Sequence, residues 1–321
     1  MHYVKLGKTD IKTSVIGLGA WAIGGWMWGG TDEARSIRAI DAAIDSGINL
    51  IDTAPAYGKG CSEEIVGKAI KRKRDRVIIA TKCGIQWHSS NGKFFFKYES
   101  GEKVYKFLGP ESIRYEIEQS LLRLGVDHID LYQTHWQDET TPIENTMETL
   151  MELKNEGKIR AIGVCNAELE DLEQYSRSGQ LDVDQEKYSL IDRKIESGIL
   201  PWCGENNVTM LAYSPLVGGL LTGKIDADRE FKGDDLRKNN PRFSIENRNK
   251  INSVLENEFK PIAEKYDLTL AQLSIAALVS QDNVIALCGI RNEKQAEENA
   301  GAGHQVIEEA DLEKIRKAIA L

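Results

Sequence analysis

The chain carries an acid, a phenol, an amine and an imidazole, each beside the end of an apolar run. Asp52-Thr-Ala-Pro-Ala-Tyr57-Gly58 follows the apolar residues 48–51, so a phenol comes five residues after a carboxylate. The run 76–82 ends at Lys82, and the run 129–135 ends at His135. Barrel enzymes keep their catalytic side chains at strand ends and in the loops that follow them. These residue types at these positions therefore indicate proton-transfer chemistry.

Such a set suits the reduction of a carbonyl group, which needs a hydride donor, an acid for the alkoxide and a pocket for the carbonyl oxygen. A phenol with an ordinary pKa of about 10 is a poor acid at neutral pH. A nearby ammonium favours the phenolate and lowers that pKa. We therefore expect Lys82 to lower the pKa of Tyr57 and Asp52 to hold Lys82 charged and in position. His135 would orient the carbonyl or share the proton.

Each of the four residues also has an ordinary structural explanation. Asp52 could cap the turn that follows it. Lys82 could lie on the surface, as most lysines do. Tyr57 could be a packed loop aromatic, and His135 could be a hydrogen-bonded core residue. The occurrence of all four at successive strand ends favours the catalytic interpretation.

Eight short apolar runs, with helical segments between most of them, indicate the elements that position these residues. The runs are rich in Val, Ile and Leu without strict alternation, which is typical of parallel strands buried on both faces. Helical periodicity covers 32–46, 110–124 and 142–156, each followed closely by a glycine. This alternation predicts an α/β fold, a (β/α)8 TIM barrel in a single domain over residues 1–321. The predicted strands are 14–18, 48–52, 76–82, 129–135, 159–165, 181–185, 208–214 and 284–290.

Three segments fall outside the barrel repeat. Residues 3–6 and 11–13 flank a turn and predict an N-terminal β-hairpin that plugs the N-terminal mouth of the barrel. The connections 84–109 and 215–247 are overlong and leave the C-terminal ends of strands. We expect these long loops at the C-terminal face to cover a cofactor or substrate, with a disordered insertion as the alternative for each.

The motifs together resemble those of a known family. Asp52-Thr-Ala-Pro-Ala-Tyr57-Gly58, Ala80-Thr-Lys82, the stretch 129–136 and Gly163-Val-Cys-Asn166 match, in order, the motifs of the aldo-keto reductases, and 291–299 matches near the end. The stretch 21–30 resembles the bacterial general-reductase branch of that family. The resemblance implies a barrel that binds NAD(P)H without a Rossmann domain and reduces aldehydes or ketones reversibly. It makes Tyr57 the general acid, tuned by Lys82, Asp52 and His135.

The resemblance also implies a cofactor site built from several loops. Asn166 and Gln185 would hydrogen-bond the nicotinamide carboxamide, and Tyr213 would stack on the nicotinamide ring. Arg291 and Gln295 would meet the adenosine 2′-phosphate. Gln295 stands where other members have a second Arg, so NADPH is the predicted cofactor and NADH the alternative, since one guanidinium still matches a phosphate bidentately. The other residues implied are Gly19, Ala20 and Trp21 along the nicotinamide ring, Ser214, Leu216, Gly218 and Lys224 around the pyrophosphate, and Glu298 and Asn299 near the adenine.

Aromatic residues indicate the character of the substrate pocket. Trp26, Trp87 and Trp136, with the aromatic segment 94–98, predict an apolar wall. Aromatic faces stack on sugars as well as on aromatic aldehydes. The sequence therefore does not decide which small-molecule carbonyl compound is the substrate.

Two glycine-rich stretches resemble the sequence motifs of other nucleotide-binding sites. Residues 17–22 fit a Gly-x-Gly-x-x-Ala fingerprint, but the following Gly24-Gly-Trp-Met-Trp-Gly-Gly30 cannot form the helix that this fingerprint must open. Residues 218–224 begin like a P-loop, but Ile225 replaces the hydroxyl residue that would hold magnesium. Neither stretch predicts a Rossmann domain or an NTPase.

The net charge, the apolar runs and the cysteines limit the classes of partner and the compartment that the sequence predicts. A net charge of −9 argues against nucleic-acid binding, and no apolar stretch approaches the ~20 residues of a membrane helix. The five cysteines include no Cys-x-x-Cys pair, which favours a reducing cytoplasm. No His, Cys and Asp cluster has the spacing of a metal site, and the family resemblance favours a monomer.

Two other functions are alternatives to carbonyl reduction. The first is a non-catalytic NADPH-sensing barrel of the potassium-channel β-subunit type, against which the complete set of four catalytic residue types speaks. The second is a Schiff-base lyase using Lys82, which is opposed by the charge that Asp52 would hold on that amine.

Overall fold

Eight parallel strands close into a barrel in the computed structural model, which describes residues 1–98 and 100–319. The strands, in chain order, are β1 (Tyr3–Lys5), β2 (Lys12–Ser14), β3 (Ile16–Gly19), β4 (Leu50–Asp52), β5 (Ile78–Cys83), β6 (Ile85–Gln86), β7 (Lys93–Lys97), β8 (Lys103–Lys106), β9 (Ile129–Thr134), β10 (Ile159–Cys165), β11 (Val183–Lys187), β12 (Thr209–Tyr213) and β13 (Val284–Gly289). The barrel runs β3-β4-β5-β9-β10-β11-β12-β13 and closes where β13 pairs with β3. The predicted (β/α)8 barrel is confirmed.

Helices follow most of the barrel strands and pack their apolar faces on the outward-facing strand residues. In α1, for example, Ile40 and Ile44 join Ile16 and Ile51 in one buried cluster. A π-helical segment, Leu255–Phe259, connects α7 to α8. The α-helices are α1 (Glu33–Asp45), α2 (Cys61–Ile70), α3 (Pro110–Leu124), α4 (Ile143–Asn155), α5 (Leu169–Ser178), α6 (Ile199–Glu205), α7 (Ile245–Val254), α8 (Lys260–Lys265), α9 (Leu270–Val279), α10 (Glu293–Ala302) and α11 (Glu309–Ala318).

A second apolar cluster fills the barrel interior. Leu50, Leu131 and Leu211 project into it from three strands, and Leu6 and Ile11 enter it from the β1–β2 hairpin. All five side chains are nearly inaccessible to solvent. The hairpin therefore plugs the barrel as predicted.

The predicted strands and helices are found with small shifts at their ends. Helices 110–124 and 142–156 correspond to α3 and α4, and helix 32–46 corresponds to α1. Asp32 caps α1 by accepting a hydrogen bond from the Arg35 backbone amide at 3.0 Å, which satisfies one of the free N–H groups of the first turn. No helix in the described ranges is long and apolar enough to cross a membrane.

The two long connections contain more regular structure than the sequence predicts. Segment 84–109, expected as a loop, carries the antiparallel sheet β6-β8-β7. Its aromatic and β-branched residues have high strand propensity, but nothing local shows that they pair with one another rather than cover the barrel as coil. Segment 215–247 contains two short 3-10 helices, and α7 begins inside it at Ile245.

Candidate active site

A cavity of about 930 Å³ opens at the C-terminal ends of the barrel strands. Parallel strands all present their C-terminal ends to this face, so side chains from distant parts of the chain meet there. The predicted residues that line the cavity are Gly19, Trp21, Trp26, Asp52, Tyr57, His135, Trp136, Asn166, Gln185, Tyr213, Ser214, Leu216, Gly218, Lys224, Arg291, Gln295, Glu298 and Asn299.

Three predicted residues lie elsewhere. Lys82 is buried beneath the cavity floor, where its ammonium reaches Asp52. Ala20 is fully buried, and its backbone N–H donates to the carbonyl of Asp52 at 2.8 Å. Trp87 packs on the buried cluster beneath the β6-β8-β7 sheet rather than on the cavity wall. The structure therefore does not bring Trp87 to the predicted substrate pocket.

Lys82 forms the centre of a polar network under the cavity. Its Nζ donates to both carboxylate oxygens of Asp52, at 2.8 and 2.7 Å, and to the Thr53 carbonyl at 3.0 Å. It also lies 3.3 Å from the hydroxyl of Tyr57. Strand pairing places Asp52 opposite Ala80, which brings the ends of β4 and β5 together. Both charged side chains are almost inaccessible, with 1% and 4% of their surfaces exposed, so each depends on the other for compensation.

Asp52 is held by two glutamines as well as by Lys82. Its Oδ1 accepts from Gln133 Nε2 at 3.1 Å and from Gln185 Nε2 at 3.0 Å. Sequence analysis missed Gln133, although its position two residues after Leu131 in β9 places it on the inward face of the barrel. The amide nitrogen of Gln185 is committed to Asp52, which leaves its amide oxygen as the acceptor for a group in the cavity.

The pKa values show a strong effect of burial. Burial raises the pKa of Tyr57 and the Lys82 ammonium lowers it, with a net value of about 12. Lys82 does lower the pKa of Tyr57, as expected, but the net pKa lies above its usual value because desolvation of the phenolate outweighs the attraction of the ammonium. For Lys82, burial is the largest single effect and lowers the pKa. The charge of Asp52, the smaller effects of Tyr57 and Cys165, and the hydrogen bond to Asp52 together raise the pKa by more, so the net pKa lies above the usual range. Lys82 is therefore charged.

His135 faces Tyr57 across the cavity floor. The two rings meet edge to face with centroids 5.6 Å apart. Burial, together with the charge of Lys82, holds the pKa of His135 well below its usual value. The imidazole is therefore neutral at physiological pH, and it can hydrogen-bond a carbonyl oxygen without adding a charge.

A close approach of two loops fixes the position of Tyr57. A Cβ on Gly24 would lie 2.6 Å from the carbonyl oxygen of Tyr57, and one on Gly58 would lie 2.2 Å from the carbonyl oxygen of Gly24. Neither position has room for a side chain, and Gly58 also has a positive φ of 69°. Trp21 stacks against the phenol with centroids 6.2 Å apart. The loop after β3 thus holds the loop after β4 that carries Tyr57.

Tyr213 and Asn166 form a second polar group on the cavity wall. The Tyr213 hydroxyl donates to Asn166 Oδ1 at 2.8 Å, and Asn166 Nδ2 donates to the backbone carbonyl of His135 at 3.0 Å. These contacts fix the Asn166 side chain beside His135 and Gln185, where a planar amide could be bound between two carboxamides.

Arginines gather at the far end of the cavity. Arg291 donates to the backbone carbonyls of Trp28 and Gly30, each at 3.1 Å. Burial lowers the pKa of Arg291, and the nearby charges of Arg237 and Arg35 lower it further. Guanidinium groups stay protonated in proteins, so Arg291 keeps a positive charge that favours an anion, whereas the charge of Arg237 is paired with Asp235 at 2.6 Å.

Two details alter the predicted cofactor contacts. The Gln295 side-chain oxygen already accepts from the backbone amide of Arg291 at 2.8 Å. Lys224 forms an ion pair with Glu298 at 2.7 Å, so its charge is not free for a pyrophosphate. Arg237, which the sequence did not indicate, lines the cavity and donates to the Gly218 carbonyl at 3.1 Å. It comes from the long connection 215–247, where no local pattern marks a binding residue.

No group of three or more His, Cys, Asp or Glu side chains in residues 1–98 and 100–319 is arranged to hold a metal ion. The cysteines at 61, 83, 165, 203 and 288 are free thiols.

Residues 15–320 match the model of the aldo/keto reductase family. The chain belongs to this family. It is 43% identical over 324 residues to an NADH-specific methylglyoxal reductase of Escherichia coli, covering 99% of this chain and 98% of that protein. This match confirms the predicted family and enzyme class of this aldo-keto reductase.

Solved structures agree with the fold. A glycerol dehydrogenase from Gluconobacter oxydans superimposes with a TM-score of 0.89 at 38% identity, covering 99% of this chain and 94% of that one. An aldo/keto reductase from Klebsiella pneumoniae in complex with NADP and acetate gives a TM-score of 0.75 at 27% identity, covering 99% and 96%.

Proposed function

We propose that this aldo-keto reductase is an NADPH-dependent oxidoreductase that reduces aldehydes or ketones to alcohols, reversibly, with Tyr57 as the general acid. The observation that carries the proposal is the position of the Lys82 ammonium, which contacts both oxygens of Asp52 and lies 3.3 Å from the Tyr57 hydroxyl. A carbonyl oxygen bound between Tyr57 and His135 would meet a phenolic donor and a neutral imidazole. Bound NADPH would supply the hydride.

The side chains of the network have separate roles in this proposal. Tyr57 gives its proton to the oxygen of the carbonyl, while the Lys82 ammonium stabilises the phenolate that remains. Asp52 holds Lys82 in place and is itself held by Gln133 and Gln185. His135 orients the carbonyl oxygen towards the phenol. Each polar atom is positioned before substrate arrives, which is how fixed donors stabilise a developing charge.

The remaining polar groups support the cofactor assignment. Asn166 and Gln185 present amide groups side by side for the nicotinamide carboxamide, next to Tyr213. Positive charge around Arg291 favours the 2′-phosphate and hence NADPH. A relative named as NADH-specific and a neighbour solved with NADP keep NADH as the alternative.

The two other functions receive less support from the geometry. A Schiff-base lyase needs a neutral amine, but the Lys82 ammonium is paired with both oxygens of Asp52. A non-catalytic NADPH-sensing module would not need the network of Lys82, Tyr57 and His135. The cytoplasmic location and the monomeric state remain predictions from the sequence.

A panel of carbonyl compounds tests the proposal. Purified protein would be incubated with NADPH or NADH and an aldose, methylglyoxal or a substituted benzaldehyde, and cofactor oxidation would be followed by absorbance. We expect turnover of at least one carbonyl compound, with NADPH preferred. Trapping of a substrate on Lys82 by borohydride, without cofactor oxidation, would favour the lyase instead.

A further inference from the structure

We call the part of the cavity lined by Trp26, Ala56, Ile85, Phe95, Phe96 and Trp136 the substrate half. Its outer wall is aromatic and is supplied by the β6-β8-β7 sheet. In the pairing of β7 with β8, Phe94 lies opposite Tyr105 and Phe96 opposite Val104, so Phe95 is an extra, bulged residue. Because of the bulge, the consecutive residues Phe95 and Phe96 both line the cavity. A regular strand would have turned one of them away.

Lys106 lies on the same face of this sheet as the aromatic wall. Val104, two residues earlier in β8, is fully buried in the aromatic cluster beneath the sheet, and alternate residues of a strand share a face. Accordingly, Lys106 Nζ lies 5.7 Å from the ring centroid of Phe95 and 6.0 Å from that of Trp136. Both rings line the cavity. Lys103, on the opposite face of β8, is exposed.

In residues 1–98 and 100–319 the ammonium of Lys106 contacts no anion directly. The pKa of the Glu139 carboxyl is lowered first by its hydrogen bond and ion pair with Lys93, and the more distant charge of Lys106 lowers it further. Among the described residues, no hydrogen bond or ion pair is formed by the Lys106 Nζ. Glu139, a carboxylate in the same region, is already bound through both oxygens by Lys93, at 2.7 Å each. The ring faces of Phe95 and Trp136 hold the Lys106 charge near the cavity but leave its three N–H donors for another group.

Lys106 lies against two of the rings that line the cavity without lining it itself, and the residues that do line the substrate half are neutral. The charged residues that line the cavity elsewhere are Asp52 on its floor, and Lys224, Arg229, Arg237, Arg291 and Glu298 in the connection after β12 or the segment after β13. An anionic substrate group would therefore find its partner at Lys106. Apolar surroundings strengthen such a pairing relative to water.

We propose that Lys106 forms an anion subsite at the outer wall, and that the preferred substrates are aromatic carbonyl compounds with a carboxylate on the end remote from the carbonyl. The inference rests on the proposed function, which places the reacting carbonyl between Tyr57 and His135. Trp136 follows His135 directly, so a substrate ring that leaves the reacting centre along Trp136 and Phe95 directs its far end to Lys106. The carboxylate accepts hydrogen bonds from the Lys106 ammonium.

The test compares 4-formylbenzoate with the neutral 4-formylbenzamide. Both would be assayed with NADPH on the unmodified enzyme, on Lys106→Met, which keeps an unbranched apolar stem, and on Lys106→Arg, which keeps the charge. Lys103→Met on the other face of β8 is the matched control. Each substrate is compared between enzymes, so the different reactivity of the two aldehydes cancels.

We expect Lys106→Met to lower kcat/KM for 4-formylbenzoate about five- to tenfold, mainly through KM, because a half-buried ion pair is worth more than an exposed one. The value for 4-formylbenzamide should stay within about twofold, and Lys106→Arg and Lys103→Met should resemble the unmodified enzyme. Equal losses for both aldehydes would show that Lys106 only supports the wall, and no loss for either would remove the subsite.

Failure of the proposed function would have a different signature. If the unmodified enzyme reduced no compound of the carbonyl panel, the reductase proposal would fall, and the subsite would then be judged by binding alone. Quenching of tryptophan fluorescence by 4-formylbenzoate should still require a higher concentration with Lys106→Met than with Lys103→Met. Indistinguishable titrations would refute the anion subsite. If the enzyme reduced another member of the panel but neither of these two aldehydes, the anion subsite for aromatic carboxylates would also be refuted.

Discussion

The Lys82 ammonium lies 3.3 Å from the Tyr57 hydroxyl, yet the pKa of Tyr57 is about 12. Burial of the phenol raises this pKa more than the ammonium lowers it. The pairing therefore does not produce a phenolate at rest. In the proposed reaction, the pairing limits the free-energy cost of forming a phenolate when Tyr57 releases its proton, and the raised pKa keeps the phenol protonated until then.

The pH dependence of both directions follows from this pKa. Tyr57 must be protonated for carbonyl reduction, and with its pKa raised to about 12 it stays protonated throughout the ordinary working range. We expect kcat/KM for reduction to be flat from about pH 7 to about pH 10, and that for alcohol oxidation, which needs the phenolate, to rise over the same range. Steady-state kinetics in both directions would check this. A fall in reduction centred near neutral pH would mean that another group is the acid.

The ion pair of Lys82 and Asp52 should dominate the stability of the site. Lys82→Met leaves a carboxylate buried without its cation, which costs about 3–5 kcal/mol of unfolding free energy. The double variant Lys82→Met with Asp52→Asn removes both charges and should recover more than half of that loss. Urea unfolding of the single and double variants measures the coupling. Additive losses would show that the two charges are stabilised independently.

Cofactor choice should depend on Arg291. Arg291→Ala removes a guanidinium from the cationic end of the cavity and should weaken NADPH binding about tenfold or more, with a much smaller effect on NADH. Arg38→Ala is a suitable control. Arg38 forms an exposed ion pair with Glu293, the first residue of α10, two residues after Arg291 in the chain. Quenching of intrinsic fluorescence gives both dissociation constants. Equal weakening of NADPH and NADH would assign Arg291 a structural role in holding Trp28 and Gly30.

Asp184 should make the protein less stable in alkaline solution. It is fully buried in β11, its Oδ1 has no hydrogen-bond partner in the part of the chain that the structure describes, and its Oδ2 lies 4.0 Å from the Cys203 thiol. Burial, and secondly the charge of Glu186, raises the pKa of Asp184 well above its usual value. The folded protein thus holds a proton that the unfolded chain releases near pH 4. Stability from this group is complete below that pH and is lost as pH rises through the folded pKa.

Asp184→Asn removes this titration. The free energy of unfolding of the variant, relative to the natural protein, should therefore increase as the pH rises above about 4, where the unfolded carboxyl loses its proton, by at most about 1.4 kcal/mol per pH unit. Denaturant unfolding at several pH values gives the difference directly. Asp182→Asn would not serve as a control, because Asp182 is hydrogen-bonded; Asp10→Asn, at an exposed site, would. A difference that is constant with pH would contradict the account.

The barrel could be predicted because each buried strand is marked by its own short apolar run and each intervening helix by its periodicity. The proximity of Asp52, Tyr57, Lys82 and His135 could be predicted for the same reason, since they adjoin those strand ends. Trp87 and Gln133 show the limit of predicting side-chain positions from the sequence. The contact of Gln133 depends on which face of β9 its side chain occupies. Trp87 follows the end of β6, and its position depends on the pairing within the β6-β8-β7 sheet. The pKa of Tyr57 depends on a burial that composition does not reveal.

The most direct measurement is carbonyl reduction by Tyr57→Phe with NADPH. The variant keeps the ring that stacks on Trp21 and removes only the hydroxyl, so NADPH should bind with nearly unchanged affinity. We predict that kcat falls by about 10²–10⁴-fold, the usual contribution of an acid catalyst. Turnover within a few-fold of the unmodified enzyme, with normal NADPH binding, would contradict the assignment of Tyr57 as the proton donor.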